Sequence, residues 1–229
     1  MNFAASTPIS TIASTVPSSI PVLQRHHIDF CCGGHRALGD VCDEKKLSLD
    51  AVLAEIAVAQ AGPTPDHRDW TREPPSALID YLLARYHEPT YPEFERLTAL
   101  VDKVCTRHHD KAPERFTALQ QTWHALVNEL IPHFRKEEVV LFPMLRRLEQ
   151  QGALETDGFM AAGPIQVMQM EHDDAGDALK KIRALCDDYV VPPEACMSWQ
   201  ALWIGLETFE AELMQHIHLE SNILFKKVG

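Results

Sequence analysis

The stretch HFRKEEVVLFP, residues 133–143, decides how the chain must fold. Around it Leu126, Leu130, His133, Glu137, Leu141, Met144 and Leu148 recur at spacings of three and four, the period of one helical face. That face is apolar except for one imidazole and one carboxylate. The chain repeats the arrangement in HIHLESNILFK, residues 216–226, where Leu202, Leu206, Phe209, Leu213, His216, Glu220 and Leu224 share a stripe. Residues at i and i+4 lie one above the other, so each histidine presents its ring in the same direction as its glutamate. A buried carboxylate must protonate, pair or bind a metal. No lysine or arginine occupies either stripe, so the cation has to come from elsewhere.

Two more segments carry the same period. One starts at Ser76 and places Ile79, Leu83 and His87 on one face; the other runs from Pro164 to Cys186 with Ile165, Met168, His172, Ala175, Leu179 and Ile182. With the segments Pro113–Leu148 and Pro193–Lys227, these predict an all-α fold, an up-down-up-down four-helix bundle with crossing angles near 20°. Pro113 and Pro164 suit first turns, whereas Pro89, Pro92 and Pro132 are expected to kink or end their helices.

The four inner stripes then collect His87, His133, Glu137, His172, His216 and Glu220. Six donors exceed one ordinary site. Shared between two metals, with each glutamate bridging, they give about three to four protein ligands per ion and leave room for solvent or a small ligand. Imidazole and carboxylate suit iron, manganese or zinc, and carboxylate-bridged pairs in bundle cores favour iron or manganese. The lack of cysteine in the stripes argues against structural zinc. Glu129 and Glu171 lie next to this set and either orient ligands and relay protons or are solvated surface glutamates. His218, two residues from His216, points elsewhere and is no ligand. His67, His108 and His109 fall in polar stretches and are expected to be exposed, and the small Ala175 and Gly176 leave space beside the site or permit close helix packing.

With 229 residues, 45% hydrophobic and 24% charged, the chain is long enough for one large domain or a large and a small one. Its net charge of −12 argues against nucleic acid or an anionic membrane surface as partner. No apolar run reaches the roughly 20 residues of a membrane helix, and the proline-broken start lacks a secretory pattern, so a cytoplasmic location is expected. Pro-rich residues 61–76 suggest a linker between a small helical domain, residues 1–65, and the bundle, residues 75–229. Of six cysteines, Cys31 and Cys32 stand out in IDFCCGGHRAL. A helix start just after the glycines would favour their thiolates, making them candidates for redox chemistry or iron transfer, against the plain alternative of small residues in a tight turn. Cys42, Cys105, Cys186 and Cys196 are expected to be packing or surface thiols.

The ordered set DFCCGG, RYHEP, HFRKEEVVLFP, MEHDDAG and HIHLESNILF resembles the di-iron iron-sulfur cluster repair proteins, the repair-of-iron-centres family. The resemblance implies a cysteine-containing N-terminal domain joined to a hemerythrin-like bundle. It further implies that His87, His133, Glu137, His172, His216 and Glu220 hold two non-haem irons per chain, with an oxo or hydroxo bridge. Gly176 stands where oxygen-carrying hemerythrins place a further histidine. The implied partners are damaged iron-sulfur proteins or a cluster scaffold, nitric oxide or another diatomic, and a second copy in a homodimer, with no nucleic acid and no membrane. Three activities fit the same ligands: delivery of iron to damaged clusters aided by Cys31 and Cys32, reduction of nitric oxide or peroxide at the irons, and sensing of a diatomic gas. Whether the protein is an enzyme is left open; if it is, it is a di-iron oxidoreductase acting on nitric oxide.

Overall fold

The computed structural model describes residues 3–61, 68–154 and 156–228. Residues 62–67, with His67 and part of the expected linker, lie outside them. The fold is all-α, without a strand among the described residues. Internal contacts group the chain into two compact units, Met1–Leu78 with Met214–Lys227, and Ile79–Leu213 with Val228–Gly229.

In the first unit, α1 (Ile9–Thr15), α2 (Ile20–Arg25), α3 (Leu38–Lys45) and α4 (Leu49–Ala61) enclose a core that includes Ile9, Ile12, Leu23, Ile28, Phe30, Leu38, Val41, Val52 and Ile56. The helical stretch is interrupted between α1 and α2. Pro17 has no N–H and drives Val16 out of the helical region, to φ −130° and ψ 79°, so the chain passes through a short 3₁₀ turn before α2. The segment between α2 and α3 is fastened to the start of α1: the Ile9 N–H donates to the Arg36 carbonyl at 3.0 Å and the Ser10 N–H to the Gly34 carbonyl at 2.8 Å. Glycine is required at 34, because a Cβ there would lie 2.5 Å from the Phe30 carbonyl oxygen and 2.8 Å from the Ser10 Cβ.

The bundle sequence forms four long helical rods. The first is α5 (Pro75–Leu82), a π-helical turn at Leu83–His87, and α6 (Glu88–Arg107). The second is α7 (Pro113–Lys136), a π turn at Glu137–Leu141, and α8 (Phe142–Gln150). The third is α9 (Phe159–Leu185), and the fourth is α10 (Met197–Leu219) followed by a π turn at Glu220–Leu224. Within the second unit α7 packs on both α6 and α9. Phe209 of α10 meets Phe94 and Trp123 at ring-centroid distances of 5.8 and 5.2 Å. The fully buried Trp123 places its indole N–H 2.9 Å from the Thr98 hydroxyl, so its one polar atom is satisfied.

The prolines behave differently from expectation. Pro92 and Pro132 lie inside α6 and α7, and Pro89 sits in the first turn of α6; none ends its rod. Pro89 and Pro143 each stand two residues past the end of a π turn. Lacking an N–H, they cannot restore the i→i−4 bond at that point, which lowers the cost of the extra residue that a π turn inserts. After α9, Asp187, Asp188 and Tyr189 take φ values of 50°, 51° and 59° in succession. This left-handed run is unfavourable for residues with a side chain. A clasp opposes that cost: the Tyr189 hydroxyl donates to Glu210 at 2.6 Å, and Arg183 donates to the same buried carboxylate at 2.9 Å.

Candidate metal centre

The π turns fall where the polar residues of the stripes stand. His87 closes the first, Glu137 opens the second and Glu220 opens the third. A π turn inserts one residue into the α-helix and so re-aims the side chains around it, and such insertions are frequent at functional sites. All six stripe residues are buried: Glu137 and Glu220 are 0% exposed, His87 1%, and His133, His172 and His216 2%.

The carboxylate of Glu137 faces three imidazoles. One oxygen lies 3.6 Å from His87 Nε2 and 3.4 Å from His133 Nε2, and the other 4.0 Å from His172 Nε2. These separations are long for hydrogen bonds yet short enough for the atoms to share one cation. The His133 and His172 Nε2 atoms approach to 3.1 Å, both aimed at the same space. On the last helix, His216 Nε2 is 2.9 Å from Glu220 Oε1. Donor atoms form two groups, each within 4.8 Å: His87, Glu137, His216 and Glu220, and His133, Glu137, His172 and Glu220. Both glutamates belong to both groups. A buried donor set of this kind, imidazole Nε2 with carboxylate oxygen, fits iron.

The outward ring nitrogens are also engaged. His87 Nδ1 lies 3.2 Å from Glu138, whose same oxygen accepts the Tyr91 hydroxyl at 3.0 Å while Arg135 holds the other at 3.1 Å. His133 Nδ1 lies 2.8 Å from Glu171, which Lys136 also grips. An Nδ1–H pointing to a carboxylate fixes the tautomer and turns Nε2 inward, the arrangement of metal-bound histidines. The Glu171 carboxyl is held below its usual range: burial opposes this, and the hydrogen bonds from Lys136 and His133 outweigh it. His87 further stacks on Phe134 with centroids 4.4 Å apart, which locks its ring plane.

Of the two flanking glutamates, Glu171 contacts a stripe histidine, whereas Glu129 is exposed. Both line a cleft of about 350 Å³ that reaches His133, together with Lys136 and Ala175. Glu138, Tyr91 and Lys136 were not singled out by the sequence pattern. Tyr91 stands one turn beyond His87, but the partner that joins them belongs to another rod. His218 does point away from the donor groups; it is buried, and its Nδ1 lies 3.2 Å from the Phe30 carbonyl oxygen. His109 is exposed as expected, while His108 is half-buried between Cys196 and the Trp199 ring.

The cysteine turn corrects one expectation. The helix after the glycines begins at Leu38, too far along to direct its amides at the thiols. Cys31 Sγ lies 3.6 Å from Cys32 Sγ and 3.2 Å from Asp29 Oδ1. The hydrogen bond to Cys32, burial and the nearby Asp29 charge push the Cys31 thiol well up, so it is held neutral instead of activated. Cys42, Cys105 and Cys186 are buried packing thiols, and Cys196 is exposed.

Among the described residues, no helix is long and apolar enough to cross a membrane. Residues 78–228 match the hemerythrin HHE cation binding domain, and residues 5–60 match a domain of unknown function, DUF542. Curated relatives named "Iron-sulfur cluster repair protein YtfE" include proteins of Yersinia pseudotuberculosis, 34% identical over 219 residues, Pectobacterium carotovorum, 36% over 219, and Citrobacter koseri, 36% over 220; each alignment covers 96% of this chain and 95% of the relative. With those matches spanning nearly its whole length, the chain belongs to the YtfE iron-sulfur cluster repair family, in which a DUF542 domain precedes a hemerythrin HHE bundle.

Proposed function

We propose that the protein holds two iron ions in its bundle and delivers iron to iron-sulfur clusters damaged by nitrosative or oxidative stress. The observation that carries this reading is the membership of Glu137 and Glu220 in both donor groups, with His87 and His216 completing one and His133 and His172 the other. Glu137 and Glu220 would be the carboxylates that a pair of ions holds in common, and an oxo or hydroxo group would complete the set. Iron bound there supplies a redox-active and exchangeable ion. The chain's own part is to orient Nε2 inward through Glu138 and Glu171, to exclude water with Phe134 and Phe142, and to leave the cleft at His133 as a route for protons or ions. Cys31 and Cys32 are the thiols through which iron passes to the acceptor.

The test is incubation of the iron-loaded protein with an iron-depleted cluster enzyme. Recovery of activity beyond that given by free iron supports delivery, and recovery no better than free iron refutes it. A second reading, reduction of nitric oxide at the same irons, is favoured by the solvent-open cleft beside His133. Nitrous oxide evolved from the diferrous protein in the presence of nitric oxide would establish it. The family resemblance also brings the expectation of a cytoplasmic homodimer acting on damaged iron-sulfur proteins, for which light scattering reads the subunit number.

A further inference from the structure

The second histidine of HIHLE serves no metal, yet it is 1% exposed and fully engaged. Successive helical residues advance by about 100°, so His216 and His218 face in nearly opposite directions. His218 Nδ1 lies 3.2 Å from the Phe30 carbonyl oxygen, which can only accept, so this nitrogen carries the hydrogen. The ring is buried at this contact. Its edge also meets the Phe30 ring, with centroids 5.6 Å apart. One turn later Asn222 donates from Nδ2 to the Cys31 carbonyl at 3.1 Å. The two carbonyls gripped are those of the first cysteine and the residue before it. Cys32 is half-exposed.

We infer that His218 and Asn222 are positioning residues that fix the Cys31–Cys32 turn, by the Phe30 and Cys31 carbonyls, to the helix segment carrying His216 and Glu220. This rests on the reading of Cys31 and Cys32 as the thiols that pass iron. The segment is thereby two-faced, with metal donors on one side and the dithiol turn on the other. Asp29 supports the turn from within, accepting the Cys31 N–H at 3.1 Å. Gly34 lets the turn close against Ser10.

The experiment uses the full-length, iron-loaded protein and compares His218→Leu, His218→Asn, Asn222→Leu and the double change C31S/C32S. Asparagine at 218 places an amide donor where Nδ1 stood. Three readouts are taken: iron content with the visible spectrum, the rate of Cys31 alkylation by iodoacetamide resolved by mass spectrometry, and iron transfer to an iron-depleted cluster enzyme. His218→Leu and Asn222→Leu are expected to keep their iron and spectrum while Cys31 alkylation accelerates about fivefold, the effect of losing one hydrogen bond that opposes local opening. Transfer should fall to the level of C31S/C32S, and His218→Asn should restore both readouts. Alkylation at the wild-type rate in both leucine variants would overturn the assignment. If C31S/C32S transfers iron as well as the wild type, the thiol role fails, and alkylation alone still decides the clamp. Should His218→Leu not fold, Asn222→Leu and His218→Asn carry the comparison.

Discussion

Glu137 and Glu220 are shared by the two donor groups, whereas each histidine belongs to one. Glu137→Ala is therefore expected to lose essentially all iron, and His87→Ala to retain about one ion per chain, as read by metal analysis of the purified variants. Glu138→Ala removes the acceptor at His87 Nδ1, and loss of such a partner weakens metal retention by about tenfold or more, measurable by competition with a chelator. A third expectation concerns pH. Burial pushes the Cys105 thiol up to about 12, from a usual value near 9. The folded state thus binds its proton more tightly than the unfolded chain, so this contribution to stability is complete below pH 9 and is lost as pH rises from 9 to 12. Denaturant melts in that range should decline less steeply in Cys105→Ala. The six stripe residues stand out in the sequence because a histidine or glutamate in a greasy stripe is anomalous by itself. Glu138 was not, since its neighbour Glu137 already explained the motif and its partners His87 and Tyr91 sit on another rod. Cys31 was misread because the start of α3 could not be placed from GGHRAL alone.

At the scale of elements, the four rods were visible as periods of three and four, but their π turns were not. A glutamate at i+4 from a histidine looks the same in an α-helix as at the mouth of a π turn. The usable signal was a proline just past the motif, in RYHEP and VLFP, which the rules of helix breaking had marked as a stop. In the long rods those rules lost to packing, since a helix already buried along one face tolerates a missing hydrogen bond. The first small helix did break at Pro17. The clasp after α9 was invisible because Arg183, Tyr189 and Glu210 come from distant stretches. Glu210→Leu should release the left-handed turn and strand the Arg183 charge, at a cost of about 3 kcal/mol in denaturant unfolding. Metal content should be unaffected.

For the molecule as a whole, iron bound only by the native state adds to stability by mass action. Stripping it with a chelator is expected to lower the melting temperature, and restoring ferrous ion to raise it in a concentration-dependent way; an unchanged melt would mean that the donor groups do not hold the ion. The proline-rich stretch near residues 61–76 suggested a small and a large part. The grouping of residues 214–227 with the first unit could not be read from it, because HIHLESNILFK reads as the end of the bundle and shows nothing of its other face. That face has a consequence for biosynthesis. Residues 3–61 are translated well before Met214, which packs on their core, and before His218 and Asn222, which hold their cysteine turn. The dithiol turn therefore acquires this tether only after residue 222 has been translated, so a chain stalled before that point carries an untethered CCGG turn, open to thiol chemistry before the iron site exists.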